Sequence, residues 1–269
     1  MALVALHSAA TGLSALNTDL DVIANNLANV NTEGFKSSRT NFQDLIYQEK
    51  ELPGVENANG DERPTGLYVG LGVKVSGTQL DFTQGAPLNT GRDLDLMIDG
   101  IGFFQVQVED DRAPGGVAYT RAGNFTVNSE GEIVLANDQG RRLVPNITVP
   151  QDAIKLTVNA DGRVFVLQPG QNEPAEIGQI EIAAFINPAG LKQAGENLYI
   201  ETGASGPPIT GQPATQNFGR IQAGFLEGSN VDPTRELIDL IRTQRAFEMN
   251  SNVIRAADET LRSVANLRR

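Results

Sequence analysis

Two apolar series with a seven-residue repeat, one at each end of the chain, constrain this sequence more than any other feature. Leu6, Leu13, Leu20 and Leu27 recur every seven residues, and Ala9, Leu16, Ile23 and Val30 form a second series offset by three. That spacing keeps one stripe of a helix apolar. At the other end Leu240, Phe247, Ile254 and Leu261 repeat at seven, with Leu237, Ile241, Val253, Ala257 and Val264 beside them. The pattern predicts one helix from Ala2 to Val30, stopped by Gly34, and a second from an Asp232 cap and Pro233 almost to the last residue. At 1.5 Å per residue they span about 43 and about 52 Å, more than a compact domain needs to cover one face. Seams of that length call for other helices to bury them. Thr243 and Asn250 fall on the second seam, where polar residues weaken packing and can set register.

The middle reads differently. It holds most of the 28 Gly and 13 Pro, which punctuate short runs of β character: Leu67 to Val75, Leu94 to Val108, Ala118 to Val127, Glu132 to Leu135, Ile154 to Leu167 and Ile177 to Ile186. The expected fold is therefore α+β, with long terminal heptad helices forming a coiled-coil-like core and a mainly antiparallel β domain between them. The expected segments are a polymerisation helix over 1–36, a loop or extended insertion over 37–66, the β domain over 67–201, a return linker over 202–231 and a second polymerisation helix over 232–269.

Charge and composition exclude several classes. The net charge is −12, so the chain repels phosphate backbones and anionic lipid, and neither nucleic acid nor a membrane surface suits it as a partner. From Pro233 onward seven arginines oppose five carboxylates, leaving +2, whereas Met1 to Asn31 carries only Asp19 and Asp21. The acidity thus belongs to the middle, and the two ends are weakly complementary. With no cysteine, disulfides, thiolate metal sites and cysteine nucleophiles are excluded. The start MALVALHSAATGLSAL lacks the basic n-region of a secretory signal, and no window approaches the length of an apolar membrane span.

No catalytic constellation emerges. His7 is the one imidazole, set beside Ser8 and Thr11 on the polar side of the first helix, and it cannot build a Ser-His-Asp triad or a two-histidine metal site alone. The glycine pairs Gly70/Gly72 and Gly100/Gly102 lack the third glycine of a dinucleotide loop. Around Asn159, Asp161 and Gly162, Thr157 and Gln168 stand where a calcium loop needs its first and last carboxylates, so a β-turn is the better reading. Asp93, Asp95 and Asp99 alternate along a strand edge as solvated carboxylates. No metal, cofactor or catalytic residue is expected.

The segment Ala24-Asn25-Asn26-Leu27-Ala28-Asn29-Val30-Asn31-Thr32-Glu33-Gly34-Phe35-Lys36 resembles the N-terminal signature of flagellar rod and hook proteins. Glu227-Gly228-Ser229-Asn230-Val231, then Glu236 and Gln244-Arg245-Ala246-Phe247-Glu248-Met249-Asn250, resemble the family's C-terminal signature, with Phe247 where the family often has Tyr. Gly102-Phe103-Phe104, Tyr119-Thr120-Arg121, Gly123, Phe125 and Glu196-Asn197-Leu198-Tyr199 extend the likeness through the middle.

The resemblance implies a structural, non-enzymatic subunit of the basal body. It implies a homopolymer whose terminal helices pack around a central export channel, joined to other rod proteins and the hook protein inside the basal-body rings. It also implies export without a cleaved signal and a place spanning the periplasm. Helices that lack partners until assembly fit the cost of ordering an isolated apolar stripe. The expected interface comprises Leu6, Leu13, Leu16, Leu20, Ile23, Leu27, Val30, Leu237, Leu240, Phe247, Ile254 and Leu261. The carried-over motif positions are Ala24, Asn25, Asn26, Leu27, Asn29, Gly34, Phe35, Gln244, Arg245, Glu248 and Asn250. Tyr47 to Gly66 resembles an insertion of distal rod members, where it is thought to cross-link neighbours and stiffen the rod. Distal membership is therefore expected over proximal. A secreted β-rich adhesin or tail-like fibre component, and an enzyme with a carboxylate site, are the competing readings.

Overall fold

A computed structural model describes residues 2–54, 64–109, 112–170, 173–215 and 217–267. It divides into two compact units: Met1–Ala28, Ser38–Gln79 and Asp232–Arg269 form the first, Asn29–Ser37 and Leu80–Val231 the second. The class is α+β, as the periodicities predicted.

In the first unit, helix α1 (Ala2–Ala28) and helix α2 (Pro233–Leu267) pack against each other, and α1 also meets the strand Ser38–Asp44. Helix α2 begins where its cap was expected: Asp232 Oδ1 accepts from Thr234 N at 2.9 Å and from Arg235 N at 3.4 Å, satisfying N–H groups that have no partner within the helix. Helix α1 ends at Ala28, two residues before the expected Val30, and turns closed by Thr32 N to Asn29 O and Phe35 N to Thr32 O follow. Gly34 comes too late to stop the helix.

The segment expected as a loop or extended insertion over 37–66 carries Ser38–Asp44, paired with Val73–Leu80, and Tyr47–Glu51, paired antiparallel with Leu67–Gly70. In that second pair every residue of Tyr47–Glu51 is exposed, while Val69 and Gly70 of its partner are half-buried. Part of the expected insertion, 55–63, lies outside the described residues.

The second unit is β-rich. A six-stranded sheet runs in the order Lys192–Gly195, Leu198–Ile200, Val117–Thr120, Phe103–Gln107, Ile182–Ala184 and Ile209–Gly211, with every neighbouring pair antiparallel. A three-stranded antiparallel sheet, Lys155–Val158, Arg163–Leu167 and Ala175–Gln179, accompanies it. Its first turn, at Asp161-Gly162, places Gly162 at φ 82°, as the turn reading of that sequence anticipated. Leu96, Ile98, Phe104, Phe125, Ile133, Leu143, Val164, Ile180, Ile182 and Ile221 are among the side chains of one buried cluster. The long run Leu94 to Val108 divides into Leu96–Asp99 and Phe103–Gln107, parted by Gly100 and Gly102 at φ 111° and 146°.

The stretch 202–231, expected as a linker, holds the strands Ile209–Gly211, Arg220–Ala223 and Phe225–Glu227, and buries Ile221 and Leu226. Its Gly and Pro content reads as flexible, but the strands pair with partners far away in sequence, Leu96–Asp99 and Pro87–Asn89 among them. Among the described residues no helix is long and apolar enough to cross a membrane.

Candidate assembly site

Contacts along the helix pair run antiparallel, at intervals of seven in both helices. A Cβ added at Gly12 would lie 2.9 Å from Asn250 Nδ2. One heptad on, Thr243 Oγ1 donates to Asp19 Oδ2 at 3.0 Å, and one further, Asn26 Nδ2 donates to Glu236 Oε1 at 3.2 Å. The α2 stripe thus selected includes Leu240 and Phe247 between these polar positions and Ile254 just beyond them, all half-buried.

On α1 the deepest positions are Ala9, Gly12, Ala15, Ile23 and Asn26. Small residues dominate there because they let the backbones approach. Leu6, Leu13, Leu16, Leu20, Leu27 and Val30 are half-buried, Leu237 and Leu261 exposed. Ser8 and Thr11, expected on a polar face, are engaged: Ser8 Oγ donates to Gly70 O at 3.3 Å, and Thr11 Oγ1 accepts from Val73 N at 3.4 Å. His7 is exposed. The face of α2 turned away from α1 leaves Leu237, Ile238, Ile241, Met249 and Val253 between 45% and 63% exposed.

Asn26 ties the first unit's motif to both neighbouring elements. Almost wholly buried, it clamps the start of the next strand, with Oδ1 accepting from Ser38 N at 3.0 Å and Nδ2 donating to Ser38 O at 2.8 Å. Ala24, Asn25, Gln244, Arg245 and Glu248 are exposed, and Asn29 is half-buried.

The second unit joins the two family signatures through an ion cluster. Lys36 Nζ reaches Glu227 Oε1 at 2.6 Å with both side chains fully buried, and Arg121 Nη1 reaches Glu227 Oε2 at 3.3 Å. Gly85 N donates to Glu227 Oε1 at 2.9 Å, and Lys36 Nζ also donates to Thr83 O at 2.7 Å. Lys36 closes the N-terminal motif, Glu227 opens the C-terminal one and Arg121 belongs to the middle, so one carboxylate ties together three distant stretches. Burial pulls Lys36 below its ordinary value while Glu227 pulls it back up, and burial likewise lowers Arg121. Tyr199, beside this cluster, is pushed far up by burial and by Glu227.

Backbone contacts complete the junction. Gly34 N donates to Glu227 O at 2.8 Å, and Asn230 Oδ1 accepts from Ser37 N at 2.8 Å while its Nδ2 reaches Asp81 O at 2.8 Å. Asn197 Nδ2 donates to Glu33 O at 3.0 Å. Gly34 sits at φ 68°, where an added Cβ would fall 2.5 Å from Ala122 N, so its absent side chain is what lets Phe35 and Lys36 enter the core. Sequence reading quoted Lys36, Arg121 and Glu227 as motif letters but assigned them no chemistry; their types alone, two cations and a carboxylate inside otherwise apolar stretches, were the available signal.

Among the described residues, no three histidine, aspartate or glutamate side chains are grouped so as to hold a metal ion. What the geometry offers is joining: facing helix stripes in one unit, a buried ionic junction in the other.

Comparison with known proteins gives matches along most of the chain. Residues 6–36 match the family described as flagella basal body rod protein, 97–166 the flagellar hook protein FlgE/F/G D1 domain, and 222–267 the flagellar basal body rod FlgEFG protein C-terminal. The flagellar basal-body rod protein FlgG of Agrobacterium fabrum is 44% identical over 95% of this chain and 95% of its own length. The chain belongs to the flagellar basal-body rod protein family. FlgG of Bacillus subtilis is 39% identical over 98% of both chains, and FlgF of Caulobacter vibrioides 33% over 96% of this chain and 95% of its own. The three matched stretches contain Asn26 and Lys36, Arg121, and Glu227 and Asn250 respectively. This rod protein is therefore structural rather than catalytic, a component of the basal body that assembles with other rod and hook components.

Proposed function

We propose that this rod protein is a subunit of the distal rod, polymerising into a hollow, rigid shaft that transmits torque across the periplasm and encloses the export channel. The observation that carries the reading is likeness over nearly the whole chain to proteins named FlgG, at 39% to 44% identity. The segment Tyr47 to Gly66, with its resemblance to the distal insertion, supports it. In this reading the partners are further copies of the same chain, other rod proteins, the hook protein and the surrounding rings, reached by export without a cleaved signal.

The proposed interface is the set Leu6, Leu13, Leu16, Leu20, Ile23, Leu27, Val30, Leu237, Leu240, Phe247, Ile254 and Leu261, with 1–36 and 232–269 as polymerisation helices around a central β domain. The exposed Leu237 and Leu261 of α2 support it, since an apolar side chain gains up to roughly 1.5–3 kcal/mol on full burial and a neighbouring copy would supply the cover. Leu20→Asp and Ile254→Asp are expected to abolish polymer seen by electron microscopy while the β-domain unfolding transition persists. Rods built by both variants would remove these residues from the interface.

Proximal membership is the second reading, favoured by the 33% identity to FlgF. Complementation separates the two: the chain should restore motility to cells lacking FlgG and not to cells lacking FlgF.

A further inference from the structure

Within the first unit, a cavity of about 340 Å³ lies between α1, α2 and the strand Ser38–Asp44, and Asp19, Asn26, Arg39, Glu236, Asp239, Arg242 and Thr243 are among its walls. Three carboxylates share this space, and Asp232 stands one turn before Glu236 on the same helix. The nearby cations are already engaged. Arg242 pairs with Asp239 at 3.2 Å, Arg235 with Asp232 at 3.7 Å, and Arg39 donates to Gln79 Oε1 at 2.8 Å. Among the described residues no cation pairs with Glu236. Among the described residues its side chain meets one hydrogen-bond partner, Asn26, the residue that also clamps Ser38.

A first-turn position ordinarily favours a negative charge. Here that advantage goes to Asp232, whose side chain already takes the N–H groups of Thr234 and Arg235. Glu236 is left half-buried among like charges, a setting that disfavours its ionised form.

We propose that Glu236 is a proton-controlled lock on the α1–α2 pair, in which protonation tightens the pairing and ionisation at neutral and alkaline pH loosens it. Burial first, and then Asp239, Asp19 and Asp232, hold the Glu236 carboxyl above the usual carboxylate range against the opposing hydrogen bond from Asn26. A carboxyl raised in the paired state binds its proton more tightly there than in the separated helices. Its contribution is fully present below the ordinary glutamate value and is lost as pH rises through the raised one. The heptad spacing gives the lock its reach, because Asn26–Glu236 is the end layer of three, after the close approach of Asn250 to Gly12 and the Thr243–Asp19 hydrogen bond, along which the helices align.

The absence of cysteine allows two introduced cysteines, at the exposed Ala10 and Asn252, to carry a fluorescent donor and acceptor on the full chain in dilute solution. Energy transfer in the otherwise unaltered chain should rise as pH falls from about 8 to about 5, bracketing a raised carboxylate. Glu236→Gln keeps an acceptor for Asn26 and removes the charge, so its transfer should stay high at both ends of the range. Asp19→Asn, which removes one facing charge and keeps Glu236, should move the midpoint of the change to lower pH. The proposal is overturned by a pH response of equal size in Glu236→Gln, by an unchanging signal in the parent chain, or by a pair that loosens on acidification.

Discussion

Glu227 shows how a single side chain can decide where two chain ends meet. A buried ion pair adds little net stability against a well-packed apolar replacement, because desolvation opposes attraction, yet removing one partner strands the others in a dry interior. Glu227→Gln should therefore cost about 3–5 kcal/mol in the second unit's unfolding free energy by denaturant titration, since both Lys36 and Arg121 lose their counter-charge. Lys36→Met, which leaves Arg121 and Glu227 matched, should cost distinctly less; an equal loss would show that the carboxylate has no special standing. Gly34→Ala should destabilise the same unit by about 1–3 kcal/mol from backbone strain alone, before the close approach to Ala122 N is counted. Sequence reading found these residues but not their meeting, because Lys36 and Glu227 are 191 positions apart and nothing local to either names the other.

Among the elements, the helices were the most legible in sequence and their inner faces less so. The two heptad series on α1 already hold Ala9 and Ile23, but Gly12 and Ala15, buried as deeply, belong to neither. A close helix crossing rewards small side chains, which carry little weight in an apolar count. On α2 the stripe holding Thr243 and Asn250 was anticipated, and both meet α1. Strands after Thr202 escaped notice because glycine and proline mark turns as readily as they mark linkers, and only remote partners distinguish the two. The hairpin of Tyr47–Glu51 and Leu67–Gly70 buries little of itself, and two strands alone are marginal in water. Deleting residues 49–66 is expected to leave polymer that curves under the electron microscope, if this element stiffens the shaft as proposed. Straight filaments from the deletion would remove the stiffening role.

At the scale of the whole molecule, each unit draws on segments from separate parts of the sequence, with the motif residues Asn26 and Lys36 assigned to different units. The chain therefore should not melt as one block. A version ending at Val231 lacks α2 and should lose helical far-ultraviolet signal while keeping the unfolding midpoint of the β-rich unit within about 2 °C, a shift corresponding to less than roughly 1 kcal/mol. A collapse of that midpoint would show that the β-rich unit depends on α2.

The Lys36–Glu227 junction also sets a timetable. A ribosome delivers the lysine early and the glutamate only after nearly two hundred further residues, so the ammonium has no counter-charge to enter the interior with until synthesis is almost done. Long-range closure of this kind is slow. A nascent copy that stops short of Glu227 must leave the ionic junction open, and the second unit can shut only once that carboxylate has been made.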